Sequence, residues 1–219
     1  MSPFTPTLGY WDIWGRAQSI RYLLAYAGAN FIDKRYTFAN KTDWELVKYT
    51  LDLDFPNLPY YIDGDLKLSQ SVAILRYLAR KYGLLSTNTG LQDMCEQELQ
   101  DIREGFRPIL KAKLFKSIDC EVTMANYLSN TLDRQLVLFE KFLGHNQWLI
   151  GGQLSYVDFL AYEVFDWLKR FVPDTIGKHA TIGQYLRRFE SMPAIKAYNT
   201  LSTTMVLMGD VSYKYFKPT

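Results

Sequence analysis

The sequence predicts an α/β domain in its first third and an all-α domain in the remainder. Up to residue 85, short apolar runs that alternate like strands are interspersed with runs of helical period. Residues 86–90 are polar and poor in helix-forming side chains, and every long segment after them has helical period. We therefore expect one domain over residues 1–85 and a helical domain over residues 91–219.

The first domain is predicted from alternating strand and helix patterns. Gly28 ends the first helix, Asp63-Gly64 forms the turn of a hairpin, and residues 39–53 are an irregular stretch with a helical turn near Trp44. The order strand-helix-strand followed by strand-strand-helix is typical of a thioredoxin-like arrangement. The predicted strands cover residues 7–10, 31–38, 60–62 and 66–68, and the predicted helices cover residues 18–27 and 72–82.

The second domain is predicted from helical period, with one distinct start signal. Ser155 is followed three residues later by Asp158, which forms a capping box at the beginning of a helix. His145 and His179 lie in this region without a nucleophile pattern, so we interpret both as structural or solvated. The predicted helices cover residues 91–115, 122–143, 156–170, 182–190 and 194–200.

The segment from Asp54 to Ser71 indicates a binding site. Proline has no amide hydrogen, so Pro59 ahead of an apolar run is expected at the first position of a strand, and its peptide bond is a candidate cis bond. The backbone N–H and C=O of Leu58 are then free to pair with an extended peptide. Ser71 opens the next helix, whose positive end suits a carboxylate. The segment therefore predicts a site for a small acidic peptide.

Composition excludes several other classes. The net charge is +2, from 25 basic and 23 acidic side chains, which argues against an electrostatic nucleic-acid binder. Two cysteines are too few for a disulfide framework. There is no signal-peptide pattern and no apolar run of membrane-spanning length. We expect a cytoplasmic protein without a membrane partner.

Four motifs stand in a fixed order along the chain: Leu8-Gly9-Tyr10-Trp11-Asp12-Ile13, then Leu53-Asp54-Phe55-Pro56-Asn57-Leu58-Pro59-Tyr60, then Gln70-Ser71, and finally the Ser155 capping box. In this order they resemble the cytosolic glutathione S-transferases, and the mu class most of all. The resemblance extends over nearly the whole chain. Three features are similar to the flatworm branch of mu-type enzymes: Asp101-Ile102-Arg103, the short segment before Trp44, and residues 61–65.

The resemblance implies that Tyr10 is the catalytic residue of a transferase that joins glutathione to hydrophobic electrophiles in detoxification. Its hydroxyl would donate a hydrogen bond to the glutathione thiolate. A free thiol has a pKa of ~8.5, and one bond to a charged group is worth ~1.5–3 kcal/mol, which lowers that pKa by roughly one to two units. The alternative is an ordinary core tyrosine.

The resemblance also implies the residues that hold glutathione, which is a co-substrate; no metal and no separate cofactor are implied. Leu58 would pair with the cysteinyl unit through its backbone, and Lys48 would pair with the glycyl carboxylate. Trp44 could instead belong to the core, and Lys48 could be a solvated charge. The implied glutathione residues are Trp11, Arg16, Trp44, Lys48, Asn57, Leu58, Gln70, Ser71 and Asp101 of the partner subunit.

The chain departs from the mu pattern at two places that bear on the electrophile. Gly15-Arg16 is more similar to the alpha and pi classes, where the arginine lies near the sulfur; the alternative is a surface arginine at a helix start. The second tyrosine of mu enzymes corresponds to Lys111, which cannot replace a phenol toward epoxides and enones. The implied electrophile pocket, built from both domains, contains Trp14, Gly15, Phe106, Lys111, Leu207 and Met208.

The resemblance further implies a homodimer. Phe55 lies on the loop before Pro56, where the matching aromatic of mu enzymes enters the neighbouring subunit, and Arg76 and Arg80 would face Asp93 and Glu96 across the interface. Two other functions remain open on the same fold. One is a non-catalytic ligand carrier or structural protein, and the other is an isomerase or prostaglandin synthase.

Overall fold

The computed structural model describes residues 4–114 and 120–201, with the backbone alone for residues 110–114, 120, 121 and 123. This part of the chain forms two compact units. Residues 4–83 pack together with residues 194–201, and Leu84–Pro193 form the other unit. The domain limits expected from the sequence, 1–85 and 91–219, stay a prediction.

The first unit contains a four-stranded mixed sheet. Its elements are β1 (Thr7–Trp11), α1 (Gln18–Tyr26), β2 (Ile32–Tyr36), α2 (Thr42–Val47), β3 (Tyr60–Asp63), β4 (Leu66–Ser69) and α3 (Ser71–Tyr82). The strand order is β2-β1-β3-β4; β1 is parallel to β2 and antiparallel to β3, and β4 is antiparallel to β3. The helices α1 and α3 pack against each other. The predicted thioredoxin-like fold is confirmed.

Where the sequence predicts a helical turn near Trp44, the structure has the short helix α2, and aromatic packing holds its Trp44 against the sheet. The Trp44 ring is buried and stacks on Tyr60, with ring centroids 6.1 Å apart and an interplanar angle of 19°. The Tyr36 and Tyr60 hydroxyls are hydrogen-bonded at 2.9 Å. A Cβ on Gly9 would lie 2.1 Å from the Tyr60 ring, so glycine is required where this ring crosses β1. Tertiary contacts of Trp44 therefore hold in place a segment, residues 39–53, whose sequence pattern predicts an irregular stretch.

The hairpin before α3 matches its prediction closely. Gly64 has a φ of +64°, which suits the glycine of the Asp63-Gly64 turn. The Leu58-Pro59 peptide bond is cis, and β3 begins directly after Pro59. Both the candidate cis bond and the strand expected at Pro59 are therefore found at this place, with the strand beginning one residue later.

The second unit is helical. Its elements are α4 (Thr89–Leu114), α5 (Cys120–Tyr127), a π-helical segment (Leu128–Leu132), α6 (Asp133–Leu143), α7 (Tyr156–Phe171), α8 (Pro173–Ile176) and α9 (Ala180–Glu190). The helix α7 is central, because every residue from Tyr156 to Leu168 is buried and α7 packs against α4, α8 and α9. A final helix, α10 (Pro193–Leu201), belongs from Ala194 onward to the first unit, in which Tyr198 lies edge-on to Tyr22.

The predicted capping box at α7 is confirmed. The Asp158 carboxylate accepts the Ser155 backbone N–H at 2.9 Å, and it also accepts the Leu149 backbone N–H at 2.9 Å and the Tyr185 hydroxyl at 3.0 Å. Burial raises the pKa of Asp158 to about 6, although these hydrogen bonds act in the opposite direction. The box therefore connects the start of α7 to α9 and to the preceding loop.

The two histidines differ in their surroundings. His179 is buried, and its Nδ1 and Nε2 lie 3.0 Å from Glu140 and 3.2 Å from Asp133 on α6. His145 is exposed. His179 thus joins α6 to the start of α9, which is a structural role. No helix in the two described ranges has the length and apolar character that a membrane crossing requires.

Candidate active site

Tyr10 lies near the end of β1, where its neighbours orient the hydroxyl group. The side chain is only 6% exposed, and its oxygen accepts a hydrogen bond from the Arg16 backbone N–H at 3.1 Å. An oxygen that accepts this bond retains its own hydrogen for donation to a second acceptor. The geometry therefore suits a tyrosine that donates to an anion.

Gly15 makes room for this arrangement. Its φ is +42°, in the left-handed region, and a Cβ built there would lie 2.7 Å from the Tyr10 hydroxyl oxygen. Both the backbone conformation and the close approach therefore require glycine. The sequence suggested Gly15 as a pocket residue, and the structure adds that it accommodates Tyr10.

Arg21 is a residue of this site that the sequence did not point out. Its side chain is completely buried, and its Nε lies 3.1 and 3.2 Å from the two carboxylate oxygens of Asp33. Its Nη1 donates to the carbonyl oxygens of Ile13 at 2.9 Å and Trp14 at 3.4 Å. The available signal was an arginine three residues before Leu24 on the apolar face of α1, which indicates a buried charge with a partner elsewhere.

The segment expected to bind the glutathione peptide ends at α3. Gln70 is exposed at the position before α3, with a φ of +72° that is uncommon for a non-glycine residue, and Ser71 is buried at the first position of the helix. The Leu58 backbone N–H donates to Asn57 Oδ1 at 2.9 Å. In this structure a side-chain oxygen thus occupies the place that a peptide carbonyl was expected to take.

The remaining expected glutathione residues have aromatic neighbours. The Trp11 ring stacks on Phe38 with centroids 4.6 Å apart, and Lys48 Nζ lies 5.2 Å from the centroid of the Tyr49 ring. Both Trp11 and Lys48 are half-buried, whereas Trp44 is buried in the cluster with Tyr60.

The other expected residues lie at separate places. Asp101 is exposed on α4, and Phe106 is buried with its ring 6.5 Å from that of Phe171. Only the backbone of Lys111 is described, and Leu207 and Met208 lie outside the described residues. Trp14 and Arg76 are half-buried, Arg80 is exposed, and Phe55 is 73% exposed.

Two side chains expected near a dimer interface are also described. Glu96 is buried and accepts the Tyr156 hydroxyl at 2.5 Å, so it is part of the second unit's interior; Asp93 is exposed. In the described ranges, no three His, Cys, Asp or Glu side chains are grouped so that they could hold a metal ion.

A thioredoxin-like sheet with a buried tyrosine near the end of β1 and a cis Leu58-Pro59 bond, followed along the chain by a helical unit, is the arrangement expected of a glutathione-dependent transferase. Comparison with known families agrees. Residues 6–80 match the family model described as "Glutathione S-transferase, N-terminal domain", and residues 100–201 match "Glutathione S-transferase, C-terminal domain". The chain therefore belongs to the glutathione S-transferase family.

Three relatives show how close the similarity is. The chain is 40% identical over 201 residues to a glutathione S-transferase of Dermatophagoides pteronyssinus, covering 88% of this chain and 89% of that protein. It is 39% identical over 200 residues to glutathione S-transferase Mu 2 of Homo sapiens, covering 88% and 89%. A solved pi-class enzyme of Onchocerca volvulus matches with a TM-score of 0.78 and 28% identity over 90% of this chain and 93% of that chain. The expected enzyme class, glutathione transferase, is confirmed.

Proposed function

We propose that this enzyme adds the glutathione thiolate to hydrophobic electrophiles and that Tyr10 stabilises the thiolate. The observation that carries this proposal is the hydrogen bond from the Arg16 N–H to the Tyr10 hydroxyl oxygen, which directs the hydroxyl hydrogen toward another acceptor. A sulfur anion placed there would receive a charge-assisted hydrogen bond. Thiolate formation near neutral pH then requires no general base.

Glutathione binding is proposed for the residues around β3 and the start of α3. The glutamyl carboxylate would lie at the N-terminus of α3, near Gln70 and Ser71, where unpaired backbone N–H groups favour an anion. Lys48 would pair with the glycyl carboxylate, and Asp101 of the partner subunit would bind the α-amino group. The further proposed contacts are Trp11, Arg16, Trp44 and Asn57.

At Leu58 we propose that glutathione exchanges one hydrogen-bond acceptor of the backbone N–H for another. The Leu58 N–H donates to the Asn57 side chain, and the cysteinyl carbonyl of glutathione would replace that oxygen. Because one hydrogen bond replaces another, this step adds specificity with little change in the number of paired groups. Asn57 would then turn toward the glycyl end.

For the electrophile we propose the residues that the family resemblance implies: Trp14, Gly15, Phe106, Lys111, Leu207 and Met208. A lysine at position 111 offers an ammonium group where mu enzymes offer a phenol. Activity with epoxides and enones should therefore be weak compared with activity in aromatic substitution.

A homodimer is proposed from two complementary apolar features. Phe55 is 73% exposed on the loop before Pro56, which is unusual for a phenylalanine on a monomer surface. The second unit has an apolar cavity of about 620 Å³ between α4 and α6, lined by Met94, Cys95, Glu98, Leu138, Phe139, Lys141 and Phe142. We propose that Phe55 of one copy fills this cavity of the other, with Arg76 and Arg80 nearby.

The finer classification is also a proposal. Similarity to mu enzymes and the motif at Asp101-Ile102-Arg103 support a mu-type enzyme related to the flatworm branch. We assign glutathione binding to the domain 1–85 and the electrophile contacts mainly to the helical domain 91–219, and we place the enzyme in the cytoplasm.

Turnover with a chlorodinitrobenzene-type electrophile tests the proposed function. Wild type and Tyr10→Phe are compared, and glutathione binding is measured by calorimetry in both. We expect turnover in the wild type and a loss of at least about tenfold in Tyr10→Phe, with binding retained. Glutathione binding without turnover in the wild type would indicate a carrier, and equal turnover would exclude the role of Tyr10.

A further inference from the structure

We infer that Arg21 is a positioning residue for the Tyr10 hydroxyl, an inference that rests on the proposed function of Tyr10. Arg21 is a fully buried arginine on α1 that does not itself reach the hydroxyl group through any described hydrogen bond. It acts through the loop that joins β1 to α1. That loop supplies the backbone N–H that holds Tyr10.

The Arg21 guanidinium connects three parts of the first unit. Its Nε donates to both carboxylate oxygens of Asp33 on β2, at 3.1 and 3.2 Å. Its Nη1 binds the carbonyl oxygens of Ile13 and Trp14, at 2.9 and 3.4 Å. Asp33 balances the buried charge, and the hydrogen bonds to the two carbonyl oxygens connect the loop to the sheet.

The same loop continues directly into the support for Tyr10. Trp14 is followed by Gly15, whose positive φ turns the chain, and then by Arg16, whose N–H donates to the Tyr10 hydroxyl oxygen at 3.1 Å. The Arg21 guanidinium carbon also lies 6.0 Å from the centroid of the Tyr10 ring, at the outer range of a cation–π contact. One side chain therefore contacts the catalytic ring and anchors the loop that orients its hydroxyl.

An arginine is needed here because of its geometry. Its planar group has five N–H donors in a fixed arrangement, whereas lysine has one compact ammonium that cannot serve Asp33 and two carbonyl oxygens with the same directions. In an Arg21→Lys variant the charge and most of the volume remain. The loop at 13–16 would be less restrained, and the bond from Arg16 to Tyr10 would lengthen.

The predicted consequence is a change in the thiol pKa of bound glutathione. In Arg21→Lys we expect that pKa to rise by about one unit. At pH values below the thiol pKa of both the wild type and the variant, kcat should therefore fall about tenfold. The difference should disappear at alkaline pH, where the thiol is ionised in both proteins. The KM for glutathione should change less than about twofold, because the peptide contacts are elsewhere. A purely structural defect would lower kcat equally at all pH values.

Arg35→Lys is the matched control. Arg35 binds the same carboxylate, with its Nε 2.8 Å from Asp33, and it also reaches Asp12 at 3.3 Å, but no described hydrogen bond links its side chain to the loop carbonyls. Its replacement should leave the pH profile of kcat unchanged. A shift as large in Arg35→Lys as in Arg21→Lys would overturn the inference, because the effect would then belong to Asp33 and not to the loop.

A double-mutant cycle separates this inference from the proposed function. If Arg21 acts through Tyr10, Arg21→Lys should have no further effect on the thiol pKa in a Tyr10→Phe background. A pKa shift in Tyr10→Phe with none in folded Arg21→Lys overturns the role of Arg21 and leaves the role of Tyr10 intact. No shift in Tyr10→Phe overturns both. If Arg21→Lys does not fold, Asp33→Asn, which removes the carboxylate partner of Arg21, must raise the thiol pKa while Arg35→Lys leaves it unchanged, and any other result overturns the inference.

Discussion

At the scale of single residues, Tyr10 and Gly15 constrain each other. A Cβ on residue 15 would lie only 2.7 Å from the hydroxyl oxygen of Tyr10, which is too close for a side chain at that position. The left-handed conformation of Gly15 in turn presents the Arg16 N–H to that oxygen at 3.1 Å. The absence of one methyl group therefore helps to set the direction of the Tyr10 hydroxyl.

Gly15→Ala should reduce turnover about ten- to hundredfold, because displacement of a reacting group by roughly 1 Å has effects of that size. The measurement is kcat for conjugation, together with thermal unfolding. Gly28→Ala is the control: Gly28 has a similar φ of +61°, but a Cβ there meets nothing within 4 Å. Both variants should lose stability through backbone strain, and Gly15→Ala should lose more because its Cβ also meets Tyr10; equal activity in the two would contradict the contact with Tyr10.

The motif around Tyr10 predicts it as the catalytic residue, but the sequence could not indicate which groups hold its side chain. Arg21 and Asp33 are twelve residues apart and lie on different elements, α1 and β2, so no local pattern joins them. The burial of Trp44 depends likewise on Tyr36 and Tyr60, which come from separate strands. Such residues become recognisable only when the sheet brings their elements together.

At the scale of elements, α7 depends on its capping box. The Asp158 carboxylate receives hydrogen bonds from the Ser155 N–H, the Leu149 N–H and the Tyr185 hydroxyl, so one buried side chain serves the helix start, the loop before it and α9. Loss of a cap usually lowers stability by about 1 kcal/mol. Burial of the carboxylate adds a dependence on pH.

Asp158 should contribute a decrease in the free energy of unfolding as pH rises from about 4 to about 6.5. The pKa of Asp158 is raised by burial from 3.8 to about 6, so the folded chain holds a proton that the unfolded chain has released in this range. This contribution is present in full below the unfolded pKa and is lost as pH passes the folded pKa. Urea unfolding at several pH values measures it.

Two variants separate this effect from other titrations. Asp158→Asn cannot titrate and should show a flatter pH dependence than wild type over that range. Ser155→Ala keeps the carboxylate, so it should be less stable by ~1 kcal/mol but retain the wild-type pH dependence. The same slope in Asp158→Asn and wild type would show that another group is responsible.

Helical period predicted the long elements but not their interruptions. The predicted helix over residues 122–143 is α5 and α6 with a π-helical segment between them, a change that leaves the apolar pattern almost unaltered. The four-residue helix α8 was missed because one turn is too short for a period to be detected. Signals with a specific chemistry, such as Ser155 with Asp158, were recognised correctly.

At the scale of the whole molecule, the proposed homodimer rests on two apolar features that a single chain leaves exposed. One is Phe55, and the other is the cavity of about 620 Å³ between α4 and α6, bordered by the exposed side chains of Met94 and Leu138. Exposed apolar surface of this kind is typical of an interface between copies. The homodimer proposed above would cover both features.

Phe55→Ala should shift the sedimentation coefficient from that of a dimer toward that of a monomer, because a buried aromatic anchor would be lost. Leu46→Ala is the control, since Leu46 is 72% exposed and Phe55 is 73% exposed. Met94→Arg, which places a charge in the cavity, should also favour the monomer. An unchanged dimer in both Phe55→Ala and Met94→Arg would contradict the proposed contact.

The central claim is that the Tyr10 hydroxyl stabilises the glutathione thiolate, and an ultraviolet titration of the bound thiol tests it most directly. Glutathione is bound to wild type and to Tyr10→Phe, and the thiolate absorbance is followed with pH. We predict a thiol pKa in the wild type about one to two units below the value of ~8.5 for a free thiol, and a return toward that value in Tyr10→Phe. The same pKa in both proteins would contradict the account.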